Sequence, residues 1–202
     1  NNFKVVTAYG APDKGFGTGF DVVVWQGINE PYTGKTYVSI RGTQEVQDFL
    51  DDVALAVNGL PYTQLVDMVN WWLRETASEG DDIRQIAIET TLGLAGDGPT
   101  VKFVSAPTVK ATETGALAGI NYIVSVNAHS LGGYMATAFS RLFGKKWSIG
   151  GVNTFNSAGF SSLQTQNIEI AFNQIKQAIG PGLSFDDFDV TAQQPQNNYF
   201  AE

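Results

Sequence analysis

Phe20 to Trp25 and Tyr37 to Ile40 are runs of β-branched and aromatic residues, separated by a stretch that contains Gly, Pro and Asn. Branched and aromatic side chains pack well on a pleated surface, so the two runs predict a pair of strands. The second strand ends at Arg41-Gly42-Thr43. Leu65, Met68, Val69, Trp72 and Leu73 then recur at the spacing of one helical face, which predicts a helix of several turns. Ile83, Ile86 and Ala87 repeat that spacing after a polar break from Ser78 to Asp82 and predict a further helical stretch. Gly93 to Thr100 is rich in turn formers, and residues 101–117 predict short strands or a hairpin. Tyr122 to Val126 is strand-like, and Gly133 to Phe143 is a helix pattern that Gly144 would close in a left-handed conformation. Gly150 to Phe155 predicts another strand, and Ile168, Ala171, Phe172, Ile175 and Ile179 mark a helix face ending at Gly180-Pro181. Strands alternating with helices predict an α/β fold, with a mostly parallel sheet and helices on both faces.

Composition narrows the class. A chain of 202 residues, 43% hydrophobic and 16% charged, can bury one sizeable core, so residues 1–202 are expected to form a single domain. A net charge of −8 leaves no basic patch that could neutralise phosphates, which argues against nucleic acid as a partner. With no cysteine and one histidine there is no disulfide framework, no thiol nucleophile and no zinc site of the usual Cys/His kind. No run of about 18 apolar residues marks a spanning helix, and no charged-then-apolar start marks a signal peptide. The chain begins at Asn1 without methionine, which fits a processed or trimmed start.

Chemistry concentrates at Ala128-His129-Ser130-Leu131-Gly132-Gly133, between a predicted strand and a predicted helix. A serine at the apex of a sharp strand-to-helix turn is held clear of the sheet, with the helix N-terminus behind it to favour developing negative charge. Small residues two before and two after the serine let backbones approach, and Ala128 and Gly132 fill those places in an A-x-S-x-G form of the elbow. The motif predicts a positive φ at Ser130, between a strand ending near Val126 or Asn127 and a helix starting near Leu131 or Gly132.

Together with Ile40-Arg41-Gly42-Thr43, Phe49-Leu50-Asp51-Asp52 and Thr154-Phe155-Asn156-Ser157-Ala158-Gly159, the elbow resembles the class 3 lipase pattern. In that family an RG[ST] strand end and a W/F-L-x-D element precede HSLGG, and a TFG-x-P-x-x-G strand end follows. The resemblance spans residues 36–160 and is nearest to the catalytic part of bacterial extracellular lipases. It implies an α/β-hydrolase fold and a lipase-like carboxylic ester hydrolase acting on acylglycerol, phospholipid or small esters. It also implies contact with a membrane or lipid interface, secretion from a bacterium, and no cofactor, with calcium held only by a longer parent protein. Residue by residue, Ser130 would be the nucleophile, Leu131 would give its backbone N–H to the oxyanion, and Thr43 would supply the second oxyanion donor from a position beside Ser130. Asp52 matches the family's aspartate but is expected to pair with Arg41 or cap a helix.

His129 is the chain's one histidine and adjoins the nucleophile. Adjacent side chains on a tight elbow diverge, so His129 is expected to be a packed structural residue rather than the base. The α/β-hydrolase order is Ser, acid, His, and no histidine follows Ser130. The expectation is a fragment lacking the acid and histidine region, incomplete at its C-terminus, or a non-catalytic relative that serves as a binding or scaffold module. A thioesterase or acyltransferase would use the same elbow. Asp186, Asp187 and Asp189 could present an acid on a following strand, or form a solvated loop; they lack the spacing of a calcium loop. Gly15-Phe16-Gly17-Thr18-Gly19 imitates a phosphate loop but reads as a turn, with no Lys-Ser/Thr pair after it. Trp71 lies off the helical stripe and is expected to pack against a neighbouring helix rather than form a lid.

Overall fold

The computed structural model describes residues 1–10, 18–42, 60–92, 100–157, 165–180 and 196–199. In chain order these give β1 (Phe3–Tyr9), β2 (Asp21–Gly27), β3 (Thr36–Arg41), α1 (Tyr62–Glu75), β4 (Asp82–Thr91), β5 (Thr100–Lys110), β6 (Ser125–His129), α2 (Leu131–Trp147), β7 (Val152–Phe155), α3 (Thr165–Ile179) and β8 (Gln196–Tyr199). Six strands form one sheet in the order β1-β2-β3-β6-β7-β8, and β4 pairs with β5. The fold is α/β.

The sheet changes character at β3. β1–β2 and β2–β3 are antiparallel, whereas β3–β6, β6–β7 and β7–β8 are parallel. Connections set the difference: β2 and β3 are joined through residues 28–35, with backbone bonds such as Gly34 N donating to Gly27 O at 2.9 Å, and a short link returns the chain antiparallel. Parallel neighbours need a crossover, and α2 and α3 supply those leading to β7 and β8. The expected mostly parallel sheet is thus a mixed one.

Val24, Val38, Val126 and Val152 lie in register across four strands and are all buried, as are Val22, Ile40 and Ala128 on the same face. Each valine or isoleucine among them contributes about 1.5–3 kcal/mol by leaving water. α2 packs on this face against β3, β6 and β7 and is buried without a break from Leu131 to Ser140, because α1 covers it from behind. Trp72 of α1 is wholly buried and meets Phe139 edge-on at 4.7 Å and Trp147 at 5.4 Å. The β4–β5 hairpin packs in turn on α1 and α3. Asn70 joins helix to hairpin, its carboxamide donating to Ile86 O at 2.9 Å and accepting from Ile86 N at 2.8 Å.

Layers therefore accumulate on one face, and the expected helices on both faces are not found among the described residues. The other face carries half-buried Ser39, Asn127 and Asn153. Asn153 Nδ2 donates to Asn127 Oδ1 at 2.9 Å, and Asn197 Nδ2 donates to Asn153 Oδ1 at 3.1 Å.

Other expectations are corrected locally. Ile83 to Ala87 is strand, not helix: a bulge between Ile83 and Gln85 shifts the alternation and leaves Ile83 and Ile86 both buried, which copies helical spacing. Gly144 does not end its helix, which runs on to Trp147 and closes at Ser148 with φ 42°. The extra turn seats Trp147 against Phe143 at 5.5 Å as well as against Trp72. β6 starts at Ser125, three residues later than the apolar run suggested. Trp71 is packed, 3% exposed, but among Tyr9, Phe20 and Trp72 rather than only a helix. Of the glycine-rich turn, residues 15–17 lie outside the described residues, while Thr18 donates its hydroxyl to Asp67 Oδ2 at 2.5 Å.

Candidate active site

β6 ends at His129 and α2 begins at Leu131, so Ser130 alone makes the turn. Its backbone sits at φ 55°, ψ −127°, a conformation that costs a residue with a Cβ on the order of 1–3 kcal/mol. Neighbours hold it there. Ser130 N donates to Phe155 O at 2.9 Å, and Gly133 N donates back to Ser130 O at 2.9 Å. A Cβ on Gly132 would lie 2.7 Å from Ile40 O and 2.9 Å from Gly42 N, and one on Gly42 would lie 2.7 Å from His129 O and 3.2 Å from Leu131 N. The two glycines let the end of β3 and the first turn of α2 meet backbone to backbone. A Cβ on Gly133 would overlap the Ser157 side chain, so that glycine admits the chain leaving β7.

The amides opening α2 have no partner within the helix, and the aligned peptide dipoles make this end positive. Ser130 makes no side-chain capping bond, so its hydroxyl is not spent on the helix. Leu131 is buried, and its backbone nitrogen lies close to Gly42 after β3, 3.2 Å from where a Cβ on that glycine would stand. One turn on, burial pushes the Tyr134 phenol well above its ordinary pKa, with Tyr62 adding to the shift. Tyr134 is therefore neutral and brings no charge to the helix N-terminus.

Several expected site residues fall elsewhere. Thr43, Asp52, Asp186, Asp187 and Asp189 lie outside the described residues. His129 is exposed, not packed: it is the last residue of β6 on the face that the helices leave open, paired in register with Phe155. No family model, curated protein or solved structure matches this chain. At this corner a strained serine, the N-terminus of α2 and the backbone end of β3 come together. Among the described residues no group of three or more His, Cys, Asp or Glu could hold a metal ion. No described helix is long and apolar enough to cross a membrane.

A second strand end adjoins the first. Asn156 follows β7 directly with φ 48°, and its N–H donates to Tyr199 O of β8 at 2.7 Å. Phe155 and Tyr199 stack beside it with centroids 5.0 Å apart. Sequence reasoning used Asn156 and Ser157 only as part of a strand-end resemblance. The available signal was an Asn-Ser pair closing an apolar run, since Asn tolerates positive φ better than other residues with a Cβ. A cavity of about 260 Å³ bounded by Leu73, Asp81, Arg84 and Lys146 lies at the far end of the 17-residue α2, roughly 25 Å from the elbow by helix rise.

Proposed function

We propose that this chain carries the nucleophile-bearing part of a serine ester hydrolase on the α/β-hydrolase plan, lipase-like in its substrates. The observation that carries the reading is the strained φ of 55° at Ser130, maintained between a parallel strand and a helix with no residue to spare. Strain of this kind persists where surrounding structure over-determines it, and here it lifts a hydroxyl above the carboxyl edge of the parallel strands, where open α/β sheets bind ligands. Ser130 Oγ attacks the ester carbonyl and gives its proton to a base; the tetrahedral oxygen is met by the Leu131 amide and by Thr43 at the β3 end. Collapse expels the alcohol, which takes up a proton, and water resolves the acyl-enzyme. Acylglycerols, phospholipids and small esters are the substrates of this reading, with secretion and a lipid interface as its setting; a thioesterase or acyltransferase is the same chemistry with another acceptor or leaving group.

A second reading, a non-catalytic α/β-hydrolase relative that binds or scaffolds, draws on the single histidine, which precedes Ser130 and sits on the exposed face of β6. A serine without a positioned base is a weak nucleophile, and loss of a triad member leaves only about 10³–10⁴ of rate enhancement over water. The 202-residue chain should accordingly hydrolyse p-nitrophenyl butyrate slowly. Fluorophosphonate labelling followed by mass mapping decides between the two: a modified Ser130 supports the esterase, and labelling that persists in Ser130→Ala, or none at all, supports the binding module.

A further inference from the structure

We infer that the open face of the sheet is a binding surface for a neutral oligosaccharide, laid across the strands over a row of carboxamides. The inference does not depend on the reactivity of Ser130. Ser39, Asn127, Asn153 and Asn197 lie in register on β3, β6, β7 and β8. Successive strand residues face opposite sides, so this row lies opposite the buried Val38, Val126 and Val152. The carboxamides run head to tail: Asn197 Nδ2 donates to Asn153 Oδ1 at 3.1 Å, Asn153 Nδ2 to Asn127 Oδ1 at 2.9 Å, and Asn127 Nδ2 to Ser125 Oγ at 3.0 Å. A carboxamide has two N–H donors and a carbonyl with two acceptor positions. Asn153, at the centre, therefore keeps one donor and one acceptor position, and Asn197 at the end keeps its carbonyl. Asn is disfavoured inside strands, and three in register on adjacent strands go against local propensity, which is where function is expected to override it.

The chemistry of the row decides what covers it. Parallel strands are ordinarily buried on both faces. An apolar helix laid here would leave the remaining amide groups unpaired, at a cost of about 1–3 kcal/mol for each. A polyhydroxylated ligand pairs with them instead. Charge selects the same class: the chain carries a net −8, yet the row is uncharged, and Asp21 and Arg41 beside it on β2 and β3 pair with each other at 3.7 Å. Rings border the row on both sides. Toward the carboxyl ends of β7 and β8 stand Phe155 and Tyr199, stacked at 5.0 Å and 44% and 50% exposed. Toward the amino end of β3 stand Tyr37 and its register partner Trp25, which is 36% exposed, with Phe3 edge-on to Tyr37 at 5.5 Å. Sugars present hydroxyl edges and apolar C–H faces; carboxamides meet the first and aromatic rings the second. Each ring border lies two residues along the strands, about 7 Å from the row, and three strand spacings make the row about 14 Å long, which fits a short oligosaccharide rather than a single sugar.

The test is calorimetric titration of the 202-residue chain with cellohexaose, mannohexaose, xylohexaose and maltohexaose, and with trigalacturonate as an anionic comparison. We expect at least one neutral glycan to bind with a dissociation constant at or below about 1 mM, and the anionic one more weakly. For the glycan that binds, Asn197→Ala and Tyr199→Ala should each weaken affinity about fivefold, the worth of one hydrogen bond or one ring contact. Ile170→Ser, an exposed change on α3, should leave affinity unchanged. Circular dichroism checks that each variant keeps the parent fold, and Trp25→Ala on the opposite border gives the same reading should β8 be disturbed. Failure of every neutral glycan to bind, tighter binding of trigalacturonate, or affinity that survives the substitutions in folded variants would overturn the assignment. So would sedimentation of the free chain as a dimer that Tyr199→Ala dissociates, which would give the face to a second copy.

Discussion

The carboxyl ends of β6 and β7 are adjacent, parallel and both turn through positive φ, yet they are built for different ends. β6 passes through Ser130 straight into α2, and its turn is locked by backbone contacts from Gly42 and Gly132 and by a bond to Phe155 O. β7 ends at Phe155, and Asn156 after it is tied by its backbone N–H to Tyr199 O. A residue that tolerates positive φ is enough at the second end. At the first, a residue that does not tolerate it is held in place by its neighbours. Positive φ recurs at Ser148 and Asn156, so the conformation alone does not set Ser130 apart; the set of backbone neighbours that hold it there does.

The largest effects should come from Ser130 itself. Ser130→Ala keeps the strain and removes the hydroxyl, so fluorophosphonate labelling should vanish while the melting temperature stays close to that of the parent. Ser130→Gly should also abolish labelling, but with a gain in stability of about 1–2 kcal/mol, because glycine enters the same conformation without its cost. Chemical denaturation of the two variants checks this. Equal stability would mean that the elbow is not strained and would remove the main support for a catalytic serine.

Next in size is Gly132→Ala. Alanine should help a helix interior by roughly 1 kcal/mol, but here its methyl would meet the Ile40 carbonyl at 2.7 Å and the Gly42 amide nitrogen at 2.9 Å. Backbone atoms cannot swing aside as a side chain does, so a net loss of about 1–3 kcal/mol is expected by urea denaturation, with labelling slowed as β3 is pushed from the elbow. A stabilised, fully labelled variant would show that the β3 end does not frame the site.

How much of this was legible follows from particular residues. The elbow could be read because its glycines, serine and flanking apolar strand each answer a local steric demand, β2 and β3 because their runs of β-branched and aromatic residues stand out, and the buried stripe of α1 because its periodicity is unbroken. β4 could not, since its bulge puts Ile83 and Ile86 on one side and turns a period of two into an apparent helix. The end of α2 was missed because Gly144 stops helices locally, whereas the distant partner Trp72 rewards continuation to Trp147. The open face of the sheet was visible and overlooked: Val126 and Ala128 alternate with Ser125, Asn127 and His129, and strands buried on both faces read as continuous apolar runs instead. Thr43 and the acidic candidates depend on chain outside the described residues.

At the β7 end the effects are smaller and have the opposite sign pattern. Asn156→Ala should cost about 1 kcal/mol, since alanine lacks the side-chain bonding that lets Asn occupy positive φ, while Asn156→Gly should be neutral or slightly stabilising. Thermal denaturation of the pair measures it. If both variants lost the same stability, the carboxamide rather than the backbone would be holding the β7 end, and the distinction between the two strand ends would blur.

The smallest effect is expected at His129, and it sharpens the comparison from the side of the reactive end. His129 adjoins Ser130 in sequence, but it is the last residue of β6 on the exposed face, paired in register with Phe155, and makes no side-chain hydrogen bond among the described residues. A general base must come within hydrogen-bond reach of the proton it removes, whereas successive strand residues face opposite sides of a sheet. His129→Gln should then change stability by no more than about 0.5 kcal/mol, as exposed substitutions usually do. The rate of Ser130 labelling should be unchanged by the substitution. A rate that fell tenfold or more in His129→Gln, with stability kept, would make His129 the base and replace the Ser-acid-His order with a local pair on one elbow.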